Sequence, residues 1–146
     1  MSYCEVDDIQ SEFKAIRFDE DGCAVTEDDV ESFIAQADSE IDSRISSRYA
    51  VPVTRGDSAL LLLKQISTWL VTQRVKDITE TKNVRPEGDQ DVRTNSAAMA
   101  RKMLDQIASG ELVLLGAVLV GGDGGVRSLV SSNIVKRVFH KDSEDW

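Results

Sequence analysis

Val30, Phe33, Ile34, Ala37, Ile41, Ile45 and Tyr49 recur at spacings of three and four, which draws one apolar stripe down an α-helix. Such a stripe has to be buried against other elements, so this segment commits the chain to a helical core. Thr26 fits the N-cap, with Glu27, Asp28 and Asp29 in the first turn, where negative charge suits the helix dipole. The helix is expected to end near Tyr49, because Pro52 disfavours helical dihedrals just before it.

A second helix is predicted after Gly56, with Asp57 as its cap, through SALLLLKQISTWLVTQRVKDI. Leu62, Leu63, Ile66, Trp69, Leu70 and Val75 are its expected buried positions. TETKNVRPEGDQ is polar, holds Pro86 and Gly88, and reads as an exposed loop. A third helix is predicted over about Asp91 to Ser109, with Ala100, Met103, Leu104 and Ile107 on one face and Gly110 just past its end. Beyond it, ELVLLGAVLV and VRSLVSS flank GGDGG, which suits a hairpin or loop. The end, SNIVKRVFHKDSEDW, keeps Ile134, Val135, Val138, Phe139 and Trp146, more apolar surface than a solvated tail needs.

The fold class is therefore mainly α: a small bundle of three long helices plus a short N-terminal helix, a glycine-rich hairpin or loop, and an extended C-terminal arm. Residues 1–110 form the helical bundle domain, 111–130 the hairpin or loop, and 131–146 the C-terminal assembly arm. A chain of 146 residues is long enough to bury a core without disulfides or a structural metal. The start, MSYCEVDDIQ, lacks the basic and apolar regions of a signal peptide, and LVLLGAVLV is far short of the roughly 20 residues that span a bilayer. A soluble, cytosolic protein is expected.

Charge is distributed unevenly. Residues 1–50 hold 14 of the 26 acidic groups and 4 of the 17 basic ones. That field opposes nonspecific binding to phosphate backbones, and no stripe of Lys and Arg with interleaved aromatics offsets it.

No stretch assembles a catalytic or metal site. RFDEDGCAVTED, residues 17–28, resembles a calcium loop, with Asp19, Asp21 and Gly22 in the third, fifth and sixth positions. However, Arg17 occupies the first ligand position, Val25 offers no side-chain oxygen at the ninth, and Asp28 is short for the closing bidentate ligand. The stretch reads as a turn leading to an N-cap. Cys4 and Cys23 lack CxxC spacing and a nearby histidine, and read as inert free thiols. His140 is the sole histidine, which excludes a histidine cluster within one chain. GGDGG lacks the lysine and hydroxyl of a phosphate-binding loop. Glu40 and Arg44, four apart, read as a solvated ion pair. No enzyme, metal or cofactor is expected.

Ala37, Glu40, Ile41, Asp42, Ser43, Ile45, Arg48, Tyr49 and Pro52 together resemble a small phage family typified by a Mu-like prophage head completion protein, related to head–tail connector proteins of tailed phages. Tyr3, Cys4, Asp7, Asp8 and Ile9 match its opening, and Arg137, Phe139 and Lys141 its pattern near the end. Ser67 and Trp69 depart from it, standing where an alanine and a tyrosine are commoner.

The resemblance implies a helical bundle that assembles as a ring, usually of twelve copies, between portal and tail, forming part of the DNA channel without catalytic residues. It implies a virion neck location after assembly in the host cytoplasm. The partners would be the portal protein, tail or neck proteins, and DNA that passes without specific binding; no membrane is involved. Arg48, Tyr49, Arg137, Phe139, Lys141 and Trp146 are the candidate interface residues, and Asp28, Asp29, Glu31 and Asp38 the candidate acidic lumen or exposed face. For Arg48 and Tyr49 a second reading stands beside this: Tyr49 packs in the core and Arg48 caps its own helix's C-terminus through the dipole. The rival function is an acidic DNA mimic that inhibits a nucleic-acid enzyme, which the charge of residues 1–50 would also serve.

Overall fold

A computed structural model describes residues 1–19, 22–81 and 95–121. Four helices follow one another: α1 (Val6–Glu12), α2 (Glu27–Ile45), α3 (Asp57–Thr81) and α4 (Asn95–Ser109). No strand occurs among the described residues; a single antiparallel bridge joins Tyr49 to Leu119. The chain is a mainly α, small helical bundle.

α3 packs against both α2 and α4. It runs antiparallel to α2, since Ser67 meets Asp38 and the Arg74 guanidinium lies 5.2 Å from the Phe33 ring centre further along. α2 and α4 run in the same direction: Arg101 reaches Glu40 at 3.0 Å and, one turn on, Arg44 reaches Asp105 at 2.7 Å. The local Glu40–Arg44 pair read from sequence is present at 3.3 Å and is one side of this inter-helix network. Between the helices lie Ile41, Ile45, Leu63, Ile66, Leu104 and Ile107, all fully buried, each contributing about 1.5–3 kcal/mol of apolar burial.

The α2 stripe is the core face that its spacing predicts, except that Phe33 is half-buried beneath Arg74. Thr26 caps the helix: its Oγ1 accepts from Asp29 N–H at 3.3 Å, and Asp29 Oδ2 accepts from Thr26 N–H at 3.0 Å. The stretch that resembles a calcium loop thus leads into a capping box; Glu20 and Asp21 lie outside the described residues. α2 stops at Ile45 rather than near Tyr49, although Arg48 and Tyr49 N–H still reach the Ile45 carbonyl through a closing turn. Asp57 does not cap α3 but is its first residue, and the Gly56 carbonyl accepts the first helical bond, from Leu60.

In α3, Leu63, Ile66, Leu70 and Val75 are buried as expected, whereas Leu62 and Trp69 are half-buried against the core rim. Ala59, Ser67, Val71 and Thr72 are buried as well. α3 is covered from two sides and so needs a wider inward face than one stripe. α4 is described from Asn95, so residues 91–94 and the polar loop before them lie outside the described residues. Ala100, Leu104 and Ile107 are buried, Met103 is half-buried, and Gly110 follows the helix with φ +88°.

Among the described residues no helix is long and apolar enough to cross a membrane.

Candidate functional site

The C-terminus of α2, the start of α3 and the C-terminus of α4 meet at one end of the bundle, where residues 111–121 are fastened down. Tyr49 is the anchor: its ring is buried and its hydroxyl accepts from the Leu114 N–H at 3.1 Å. Beside it, Ala50 N–H donates to the Val118 carbonyl at 2.8 Å and Val120 N–H to the Arg48 carbonyl at 2.9 Å. The Val51–Pro52 peptide in the facing connection is cis.

Two glycines let the loop lie close. Gly116, with φ +85°, lies so near the α2–α3 connection that a Cβ on it would stand 2.7 Å from Gly56 Cα. A Cβ on Gly110 would overlap the Arg48 guanidinium, which therefore lies across the end of α4. There it faces the negative pole of that helix. Its Nε is buried without an acceptor.

Among the described residues, this end carries most of the exposed large apolar side chains. Of the eight large apolar residues exposed among those described, six belong to it: Val51, Leu61, Val113, Leu115, Val118 and Val120. Leu115 is 67% exposed and Val120 57%. Because Tyr49 and Leu119 face inward across the bridge, their alternating neighbours Val118 and Val120 face outward with Ala50. Concentrated apolar surface of this kind marks an interaction site more often than scattered side chains do. The sequence alone singled out none of these six; ELVLLGAVLV reads as a hydrophobic run, and which of its residues face out follows from the bridge register.

Of the residues predicted for the interface, Arg48 and Tyr49 lie among the described ones. Tyr49 is 1% exposed, so its side chain offers no surface to a partner and the core reading applies to it. The turn after Ile45 carries Arg48 across to Gly110, so its guanidinium lies beside the C-terminus of α4. Arg137, Phe139, Lys141 and Trp146 lie outside the described residues.

Of the four acids predicted for an exposed face, Asp28 and Glu31 are exposed. Asp29 is exposed but engaged in the Thr26 capping box, whose hydrogen bonds, the backbone N–H first, lower its pKa. Asp38 is half-buried and structural: it accepts from Ser2 Oγ at 2.7 Å, Tyr3 N–H at 3.3 Å and Ser67 Oγ at 3.1 Å.

The same knot holds the opening segment. The Tyr3 hydroxyl donates to Asp42 at 2.5 Å and accepts from Val53 N–H at 3.0 Å, and burial together with Asp42 raises its pKa strongly. Cys4 is buried 3.3 Å from Ser67 Oγ, and burial raises its thiol pKa, which keeps it in the thiol form. Ser67, a departure from the resembled pattern, thus has a partner for its hydroxyl on each side. No cluster of three or more metal-ligating side chains occurs among the described residues.

The family model described as "Bacteriophage Mu, Gp36" matches residues 3–118, from the Tyr3 knot into the anchored loop. No curated protein matches the chain.

Proposed function

The chain belongs to the bacteriophage Mu Gp36 family, and from that premise we propose that it is a head–tail connector, a structural protein that forms a ring between portal and tail and lines the DNA channel. Membership makes it a phage protein; the neck location and the ring, usually of twelve copies in such connectors, are our reading. The observation that carries it is the apolar end of the bundle, where Val51, Leu115, Val118 and Val120 stand exposed on a surface fastened by backbone hydrogen bonds. A rigid apolar patch suits permanent contact with a neighbouring copy, the portal or the next neck protein.

The acidic surface of residues 1–50, with Asp28 and Glu31 exposed, suits a channel wall. Carboxylates neither grip phosphates nor release their counterions, so a polyanion slides past. The reading requires no catalytic residue and no cofactor. Residues 131–146 act as an assembly arm, with Arg137, Phe139, Lys141 and Trp146 reaching a neighbour.

Locating labelled protein in purified particles tests the proposal. Label at the head–tail junction is the expected result, and label in the shell or at the tail tip overturns it. Native mass spectrometry alone and with portal protein should show a ring. A small stable oligomer that competes with DNA for an enzyme would instead support the DNA-mimic reading. A mobility-shift assay at about 0.1 M salt, where exposed charges more than about 10 Å apart are screened, should show no duplex binding.

A further inference from the structure

The bridge that fastens the loop leaves one of its edges open. Both of its hydrogen bonds are made by the residues on either side of Leu119, namely Val118 and Val120. The Leu119 N–H and C=O therefore point along the opposite edge, where no other described residue bonds to them. Val118 and Val120 stand exposed beside that edge. An unpaired edge flanked by apolar side chains is a template for an added strand.

The chain itself supplies a candidate for that strand. It leaves the described residues at Gly121, directly after the bridge, with φ +82°, and continues as Gly-Gly-Asp-Gly-Gly over 121–125 and Val-Arg-Ser-Leu-Val over 126–130. A glycine-rich connection of about five residues is among those that join antiparallel neighbours. So short a tether also holds the segment at an effective concentration on the order of millimolar, ahead of any free peptide or second copy. Val126, Leu129 and Val130 bring apolar side chains, and residues 126–141 contain no acid to repel the acidic bundle.

We infer that the outer edge of residues 118–120 is a strand-addition site, and that its occupant in the free subunit is the chain's own segment 126–130. The added strand shields part of the apolar end before assembly and sets the point from which residues 131–146 leave the bundle. This goes beyond the connector reading, and its test needs no particle.

Two measurements on the free full-length protein decide it. The first is hydrogen exchange at the Leu119 amide, which should be slowed by roughly tenfold or more relative to an unprotected amide. The second is trypsin cleavage: Arg127 and Lys136 are successive tryptic sites after Lys102, and cutting after Arg127 should be slower than after Lys136, by roughly tenfold or more. V118D/V120D changes two exposed residues and should bring the two cleavage rates together without lowering the melting temperature. If that variant melts early, Leu119 exchange in the unaltered protein decides alone. Leu119 exchanging at the free rate, or equal cleavage at the two sites in the unaltered protein, overturns the inference. Protection that grows with protein concentration also overturns it, by making a second copy the occupant.

Discussion

Tyr49 and Tyr3 do similar work at two places in the fold. Each buries its ring and spends its hydroxyl on a backbone N–H that has no other partner at that place, Leu114 for one and Val53 for the other. Tyr49→Phe keeps the ring and removes the acceptor, so the Leu114 N–H is left buried and unpaired, at a cost of about 1–3 kcal/mol. Urea denaturation should show the midpoint falling with the slope unchanged. No change in midpoint would mean that the loop is held without Tyr49. A second expectation concerns Asp8 and Lys64, paired at 2.8 Å. Partial burial pushes the Asp8 carboxyl up, but the hydrogen bond from Lys64 and that from Glu5 N–H outweigh it, and its pKa is lowered. The pair therefore contributes stability above the ordinary carboxylate range, near 4, and that contribution is lost as pH falls through the depressed folded value. Lys64 is raised by the same partner, so its share is present below its ordinary pKa of about 10.4 and fades as pH rises beyond it. Lys64→Met should flatten both limbs of a stability–pH profile; identical limbs in the variant would show that the pair contributes nothing.

At the scale of the element, legibility followed the physics of each segment. α2 was readable because one stripe, a Thr26 cap and a downstream Pro52 all act locally. α3 was readable as a helix but not in its full burial, since covering from two sides hides residues such as Thr72 that a single stripe would expose. The described part of the glycine-rich region was least readable: residues 111–121 owe their shape to contacts with residues 48–56, and no local period announces them. The candidate site shares that origin. Its apolar residues are visible in sequence, but their outward orientation depends on a bridge across 70 residues, from Tyr49 to Leu119. Gly116→Ala tests this docking. It places a Cβ 2.7 Å from Gly56 Cα and asks an L-residue to hold φ +85°, which costs about 1–2 kcal/mol for the backbone alone. Thermal melting should fall, and amides of residues 111–121 should exchange faster while those in the middle of α2 keep their relative protection. An unchanged melt would mean that the loop stands further off than its contacts indicate.

On the scale of the whole molecule, the bundle and the C-terminal arm are expected to be separable. The arm's Phe139 and Trp146 could each bury roughly 150–250 Å² against a partner. Ordering the arm costs on the order of 1–2 kcal/mol per residue, so the net gain per copy is small and becomes decisive through repetition around a ring. Truncation after Val130 should leave the circular dichroism and melt of the free subunit nearly unchanged and abolish incorporation into particles. Normal assembly of the truncated chain would make the arm dispensable, and loss of the cooperative melt would make it part of the core. The anchored loop, by contrast, has a consequence for biosynthesis. Tyr49 waits for a partner, the Leu114 amide, that lies 65 residues later in the chain. At about 5–20 residues per second, that half of the contact trails by roughly 3 to 13 s. Throughout that interval the Tyr49 hydroxyl of the nascent chain lacks the backbone partner it has in the finished fold, so the species most open to chaperones, proteases and premature self-association is the unfinished subunit.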